Sequence, residues 1–234
     1  MRIYIIRHAD PDYENGTITS AGHLEAQALA ERLGEEGIDE IYCSPLNRAI
    51  HTMQYTARRL NIQPSILPWI RELEEWDVEM PSGNPIAAWN VHGEWLRQAK
   101  PYPTNDDWHC MAPYSGRGLE LKHRLIMEES DRFLEGLGYR REEGKYRIVR
   151  SNKRKIAVFC HHGLGVTWIS HLLELPLPLV WTGFWMAPSS VTTILMDERS
   201  AEWAVPRCLG FGDTSHLYKT GLPTSTQGLI ANVE

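Results

Sequence analysis

Ile3, Ile5 and Ile6 give the start of the chain a β-branched, apolar run that stops at Arg7-His8. A buried strand ending on a cation and an imidazole points to an open α/β sheet, because such sheets keep their ligands at the carboxyl ends of their strands. Asp10-Pro11-Asp12 and Asn15-Gly16 follow as loop punctuation, so His8 is expected in a crevice close to solvent. A positioned imidazole can serve as acid, base, metal ligand or nucleophile, and its neighbours decide which. By itself the dipeptide specifies no chemistry, since a packed histidine after a strand is the commoner case.

The strand-then-charge pattern recurs. Thr19 is placed to cap a helix from Ser20, with Ala26, Leu29, Ala30 and Leu33 on one face and Gly34 and Gly37 ending it. Ile38 to Cys43 reads as a second strand, and Ser44-Pro45 as the cap and first turn of a second helix with Ile50, Met53, Ala57 and Leu60 as its buried stripe. Arg48 then lies in the opening turn, facing the crevice of His8 if the two strands are neighbours. Gln63 to Leu67 is a candidate strand followed by Arg71-Glu72-Leu73. From about Trp76 to Leu137 the alternation lapses into a tryptophan-rich stretch with helical pieces, expected to be an inserted cap. Tyr139 to Val149 reads as a hairpin turning at Glu143-Gly144, and Ile156 to Cys160 as a buried strand ending on His161-His162-Gly163. A helix through Val166, Ile169 and Leu173 and strands over 190–196 and 203–209 complete the pattern, while the polar stretch from Asp213 is expected on the surface. The fold class expected is α/β, a three-layer α/β/α sandwich with a mainly parallel central sheet.

The 234 residues, 42% of them hydrophobic, suit one elaborated domain spanning 1–234, with the insertion around 76–137. No run of about 18 apolar residues is present and the chain starts directly on a strand, so a cytoplasmic protein with no membrane partner is expected. Cys43, Cys110, Cys160 and Cys208 lack paired ligand spacing and read as reduced thiols. A net charge of −6 argues against broad nucleic-acid affinity, yet locally clustered arginines could still gather an anionic substrate. Composition leaves the oligomeric state open.

Arg7-His8-Ala9, Ser44-Pro45-Leu46-Asn47-Arg48-Ala49 with Thr52, Arg71-Glu72-Leu73 and Cys160-His161-His162-Gly163 occur in that order along the chain. Together they resemble the histidine phosphatase superfamily, also called phosphoglycerate-mutase-like. The resemblance runs over nearly all of the sheet-forming sequence and leaves out the insertion. It implies a metal-independent phosphomonoester hydrolase of the histidine acid phosphatase type, with a small phosphorylated substrate, no cofactor and no metal. His8 would be the nucleophile and become a phosphohistidine, Arg7, Arg48 and His161 would hold the phosphoryl group, with His161 also in the catalytic set, and Glu72 would be the proton donor. The residue types suit that chemistry: a neutral imidazole can attack phosphorus, and planar guanidiniums can meet the charge on the transferring oxygens.

The sequence departs from the family pattern in places. Ala9 stands for the usual glycine, the loop from Asp10 to Thr19 does not carry Asn15 over as a phosphate ligand, and His162 competes with His161 as Glu74 does with Glu72. The alignment through Val158 and through Arg71 favours His161 and Glu72. Arg71-Glu72-Leu73-Glu74-Glu75-Trp76 also lacks the histidine-tyrosine-glycine continuation of mutases, which favours hydrolysis over a phosphoglycerate-mutase-like transfer. A phospho-ligand binding protein without turnover is a third reading. Metal binding by His161 and His162, thiol chemistry at Cys43 or Cys160, and aspartyl transfer at Asp10 each lack the companion residues they need. Trp76, Trp89, Trp95 and Trp108 could line a substrate pocket, although packing is the commoner use of any one of them. The basic stretch from Arg140 to Lys155 reads as a solvated hairpin, and His216 as a loop histidine.

Overall fold

A computed structural model describes residues 1–80, 83–98 and 100–230; residues 81, 82 and 99, within the expected insertion, lie outside it. The strands are β1 (Arg2–Arg7), β2 (Pro11–Asp12), β3 (Thr17–Ile18), β4 (Glu40–Cys43), β5 (Ser65–Ile66), β6 (Asp77–Glu79), β7 (Pro85–Ala87), β8 (Tyr139–Glu142), β9 (Lys145–Ile148), β10 (Lys155–Cys160), β11 (Val191–Asp197) and β12 (Trp203–Asp213). The helices are α1 (Ser20–Glu36), α2 (Asn47–Leu60), α3 (Gly93–Gln98), α4 (Leu119–Gly136), α5 (His162–Leu173), α6 (Leu177–Gly183) and α7 (Ser215–Thr220).

Eight strands form one sheet in the order β5-β4-β10-β1-β11-β12-β9-β8. Its first half is parallel, with β1 on β10 and β10 on β4, and its second half is antiparallel from β11 onward. The sheet is thus mixed, and the parallel half carries the crevice. Period-two alternation sorts β1 between two cores. Ile3 and Ile5 pack with Leu134 of α4 and Leu164 and Trp168 of α5, while Tyr4 and Ile6 pack with Leu29 and Leu33 of α1 and Met53 of α2. Each of these isoleucines is fully buried, a gain of about 1.5–3 kcal/mol apiece that ties helices to both faces and makes the three-layer sandwich.

Helix α1 starts as its sequence requires: Thr19 Oγ1 accepts from the Gly22 amide at 3.0 Å, and Gly37 closes the helix at φ 72°. Gly34 does not end it. A side chain there would press on Arg59 of α2, so this glycine buys close approach of two helices. Helix α2 begins at Asn47, with no side-chain cap, rather than at Ser44-Pro45. The Ser44 hydroxyl oxygen still accepts from the Leu46 amide, in the turn ahead of the helix, and also meets a histidine 117 residues away. The expected hairpin turns at Glu143 and Gly144, both at positive φ. In the tryptophan-rich stretch, β6 and β7 pair as a small hairpin ahead of the 3-10 turn Ala88–Asn90 and α3, and α4 follows.

The stretch from Asp213 is not a free surface segment. Helix α7 buries His216 and Leu217 and packs on α1, and the chain beyond it returns to β1, where the Gln227 carbonyl meets Arg7. The basic hairpin is interlaced with acids: Arg147 pairs with Glu142 and Glu202, and Arg141 with Glu174. All four cysteines are free thiols. No helix among the described residues is long and apolar enough to cross a membrane.

Candidate active site

The register of the parallel half sets the geometry of the site. Arg7 pairs with Cys160 and Phe159 with Cys43, so the last residues of β1, β10 and β4 end side by side. His8, Ser44 and His161 are the next residue on each strand. The His8 backbone is gripped from both neighbours, its amide donating to the Cys160 carbonyl at 3.0 Å and its carbonyl accepting from the Ser189 amide at 3.0 Å.

The His8 side chain is 1% exposed, and its Nδ1 lies 2.8 Å from the Ala9 carbonyl. A carbonyl only accepts, so Nδ1 carries the proton and Nε2 keeps its lone pair. Burial, reinforced by the Arg7 and Arg48 guanidiniums, holds this imidazole well below the usual histidine range, which keeps it neutral near pH 7. Ala9 takes up the next amide, which donates to Thr52 Oγ1 at 2.9 Å; Thr52 in turn donates to the Arg48 carbonyl at 2.8 Å. Thr52 therefore couples the turn after His8 to the helix that carries Arg48.

His161 sits against His8 with ring centroids 5.2 Å apart. Its Nε2 is 2.7 Å from Ser44 Oγ, which also accepts from the Leu46 amide. Nε2 is the one acceptor within reach of the hydroxyl hydrogen among the described residues, and donation to it puts the ring proton of the neutral imidazole on Nδ1. Burial, with His8 and the two guanidiniums adding to it, lowers the His161 pKa well below the usual value. His162 turns away. Its Nδ1 accepts from the Met186 amide at 3.3 Å, and burial beside Arg7 drops its pKa to about 3. The choice between the two histidines is thus made by direction along the chain: the first faces His8 and the second faces the loop ahead of β11.

Arg7 is 2% exposed and fixed at two atoms, Nη1 donating to the Met186 carbonyl at 2.7 Å and Nη2 to the Gln227 carbonyl at 2.8 Å. Arg48 is half-buried, with its guanidinium 5.7 Å from the centre of the Tyr13 ring. Arg7 Nε, Arg48 Nε and His161 Nδ1 are all buried without a hydrogen-bond partner. Stranding a buried N–H costs about 1–3 kcal/mol, so three such donors on residues grouped about one neutral imidazole constitute a demand for an anion.

Glu72 enters from the turn after the 3-10 segment Pro68–Ile70 and lands on the first turn of α5. Its carboxylate accepts from the amides of Leu164 at 2.9 Å, Leu73 at 3.0 Å and Gly163 at 3.2 Å. A Cβ on Gly163 would lie 2.8 Å from Glu72 Oε1 and 3.0 Å from the Trp89 ring, so the missing side chain is what admits both groups. Glu74 instead pairs with Arg71 at 2.6 Å on the surface.

Behind His8 lies a second polar group that the sequence did not announce. Glu25 of α1 is 3% exposed, accepts from the Asp10 amide at 3.0 Å and lies near Ser189, whose hydroxyl is 3.2 Å from His216 Nε2. Burial, with the Asp10 charge adding to it, raises the Glu25 pKa to about 7, and burial lowers that of His216 to about 4. Tyr13, Trp185, which lies 5.8 Å from the Arg7 guanidinium, and Gln227 also went unread, because no local pattern marks a residue whose partner is remote in sequence. Asn15 bonds to Asp12 and takes no part. Burial pushes the Cys43 and Cys160 thiols up, away from nucleophilic use. Among the described residues, no three His, Cys, Asp or Glu side chains come together in a way that could hold a metal ion.

The model of the histidine phosphatase superfamily (branch 1) matches residues 3–207. Similar curated proteins include the adenosylcobalamin/alpha-ribazole phosphatase of Salmonella typhi, 22% identical over 192 residues that cover 77% of this chain and 84% of that protein. The protein of the same name from Escherichia coli strain K12 is 23% identical, covering 77% and 83%. Among solved structures, a phosphoserine phosphatase from Entamoeba histolytica superposes with a TM-score of 0.63 at 16% identity, covering 92% of this chain and 98% of that one. A mycobacterial glucosyl-3-phosphoglycerate phosphatase does so at 0.59 and 20% identity, covering 90% and 98%. The strand-end residues that converge here lie within the matched span, and the chain belongs to the histidine phosphatase superfamily, branch 1.

Proposed function

We propose that this protein is a phosphomonoester hydrolase of the histidine acid phosphatase type, working through a phosphohistidine at His8. The observation that carries the reading is the set of buried, unpartnered donors, Arg7 Nε, Arg48 Nε and His161 Nδ1, around a neutral imidazole whose Nε2 is free. The membership of the chain and the phosphatase names of its relatives agree with it.

In the first step His8 Nε2 attacks phosphorus, the P–O bond to the leaving group breaks, and Glu72 gives the departing alkoxide its proton. Arg7, Arg48 and His161 meet the charge that spreads over the phosphoryl oxygens, so the electrophilic work falls to guanidiniums and no metal ion is invoked. In the second step a water attacks the phosphohistidine, its proton passes to the Glu72 carboxylate, and the N–P bond breaks to release phosphate and restore His8. The substrate is a small phosphorylated molecule, with no cofactor or nucleic acid in the cycle. We read the chain as one domain capped by the 76–137 insertion, whose Trp89 reaches Gly163. The four free thiols suit a reducing compartment such as the cytoplasm.

The test is a screen of phosphomonoesters in excess chelator with trapping of labelled enzyme. Wild type should release phosphate and carry an acid-labile label; His8→Ala should lose both, with a fall in kcat on the order of 10³-fold or more. Glu72→Gln should form the label from activated esters and discharge it slowly. Turnover that survives His8→Ala would reject the reading. Isomer formation without free phosphate would favour a mutase, and tight binding without turnover a phospho-ligand binding protein.

A further inference from the structure

Beside the phosphoryl groups lies a cleft of about 320 Å³, lined by Trp89, His162, Trp181 and Trp185 together with the neutral polar side chains of Asn90 and Thr182, with Gly228–Ile230 as a further wall. Three contacts join it to the reacting groups. Trp89 and Glu72 flank Gly163 together, Trp185 lies 5.8 Å from the Arg7 guanidinium, and the place a Gly228 Cβ would take is 3.0 Å from Arg7 Nη2. A leaving group protonated by Glu72 would have the Trp89 ring beside it across Gly163. Beyond His92 and Ile230 the cleft runs into a second hollow, of about 550 Å³, walled by Met80, Ile86 and the half-exposed Trp95. Both volumes are in the range of small-molecule sites, roughly 300–1,000 Å³.

The chemistry of the walls is selective. Among the described residues, no Asp, Glu, Lys or Arg side chain lines either hollow. An ammonium or carboxylate on the leaving group would lose its hydration without gaining a counter-charge, while a planar ring would find indole faces on which to stack. The tryptophans divide accordingly. Trp76 and Trp108 are buried at 4% and 1% exposure and stack edge-on against Trp181, so they build the wall from behind, whereas Trp89 and Trp95 face the hollows.

We infer that the substrates this site prefers are phosphomonoesters whose leaving group is an uncharged alcohol bearing an aromatic or heteroaromatic ring, with Trp89 as the main specificity-determining residue. The inference rests on the phosphohydrolase reading and gives its substrate class. It is tested by comparing two esters of primary alcohols, 2-naphthylmethyl phosphate and phosphoserine, so that the difference reports recognition more than bond reactivity. Wild type should show kcat/KM at least about 30-fold higher for the naphthylmethyl ester, a discrimination of about 2 kcal/mol. Trp89→Ala should lower that ratio about tenfold, and Trp89→Phe should keep most of it. A wild-type ratio near one or below overturns the inference, as does a ratio that the alanine variant leaves unchanged. If neither ester labels His8, the phosphohydrolase reading itself falls; if phosphoserine labels it as readily as the aromatic ester, only the substrate class does.

Discussion

The phosphoryl end of the cleft and its aromatic end are held in opposite ways. At the phosphoryl end every group but Arg48 is pinned by a hydrogen bond: His8 to Ala9, His161 to Ser44, Arg7 to two carbonyls and Glu72 to three amides. These anchors lie just past the strand ends, on the start of α5 and on the backbone at Met186 and Gln227. At the aromatic end the walls come from a 3-10 turn, the end of α6 and the last described residues, and the surfaces are indole rings interspersed with neutral polar side chains such as Asn90 and Thr182. In-line displacement at phosphorus needs alignment to a fraction of an ångström, whereas stacking tolerates a slide of a ring. On the proposed reading a rigid reaction centre thus adjoins an adaptable selector.

The hardest blow to this division is Arg7→Lys. Lysine keeps the charge but cannot reach two carbonyls and a phosphoryl oxygen from one planar fork, so kcat/KM should fall about 10²–10³-fold for every ester alike. A loss confined to aromatic esters would show the two ends to be one functional unit, and a loss below tenfold would show the anchoring to be dispensable.

Glu25→Gln asks how much of the rigidity is electrostatic. A carboxyl with a folded pKa of about 7, against an ordinary 4.5, holds its proton better in the native state. Its contribution is fully present below pH 4.5 and is lost as pH rises through 7. Wild type should accordingly lose roughly 2 kcal/mol relative to the glutamine variant between pH 5 and pH 8 in urea unfolding, since glutamine can still accept from Asp10. A parallel pair of stability curves would mean that Glu25 is solvated and outside the rigid unit.

The smallest effect is expected at Ser225, whose hydroxyl donates to Asp10 and so fastens the C-terminal wall. Ser225→Ala should raise KM for the naphthylmethyl ester two- to threefold and leave kcat within about twofold, the signature of weakened ground-state binding. Steady-state kinetics at saturating ester separates this from a change in chemistry, which would contradict the separation of the two ends.

What could be read from residues alone followed the range of the interactions. The Thr19 cap, the Glu143-Gly144 turn and the alternation of β1 are decided within a few residues, and each appears where its pattern places it. The convergence of Arg7, His8, Arg48, Glu72 and His161 was legible because each follows a strand or helix signal and the motif order is specific. Ser44 does accept from the Leu46 amide, but α2 proper starts only at Asn47, and the serine's second partner, His161, is too remote in sequence to be read. Glu25 looked like one more helix-surface acid, and only its burial against Asp10 and Ser189 shows otherwise. The polar stretch after Asp213 carried no sign that a backbone carbonyl within it would serve Arg7, since carbonyls are common to every residue and leave no trace in composition.

That last bond links residues 7 and 227, 220 positions apart. A polypeptide emerging from the ribosome amino end first would present His8 long before the clasp on the neighbouring guanidinium had been synthesised. Nascent chains, or chains cut short before residue 227, would accordingly hold this imidazole beside a loosely seated cation, and the proposed site would be complete only once residue 227 had been added.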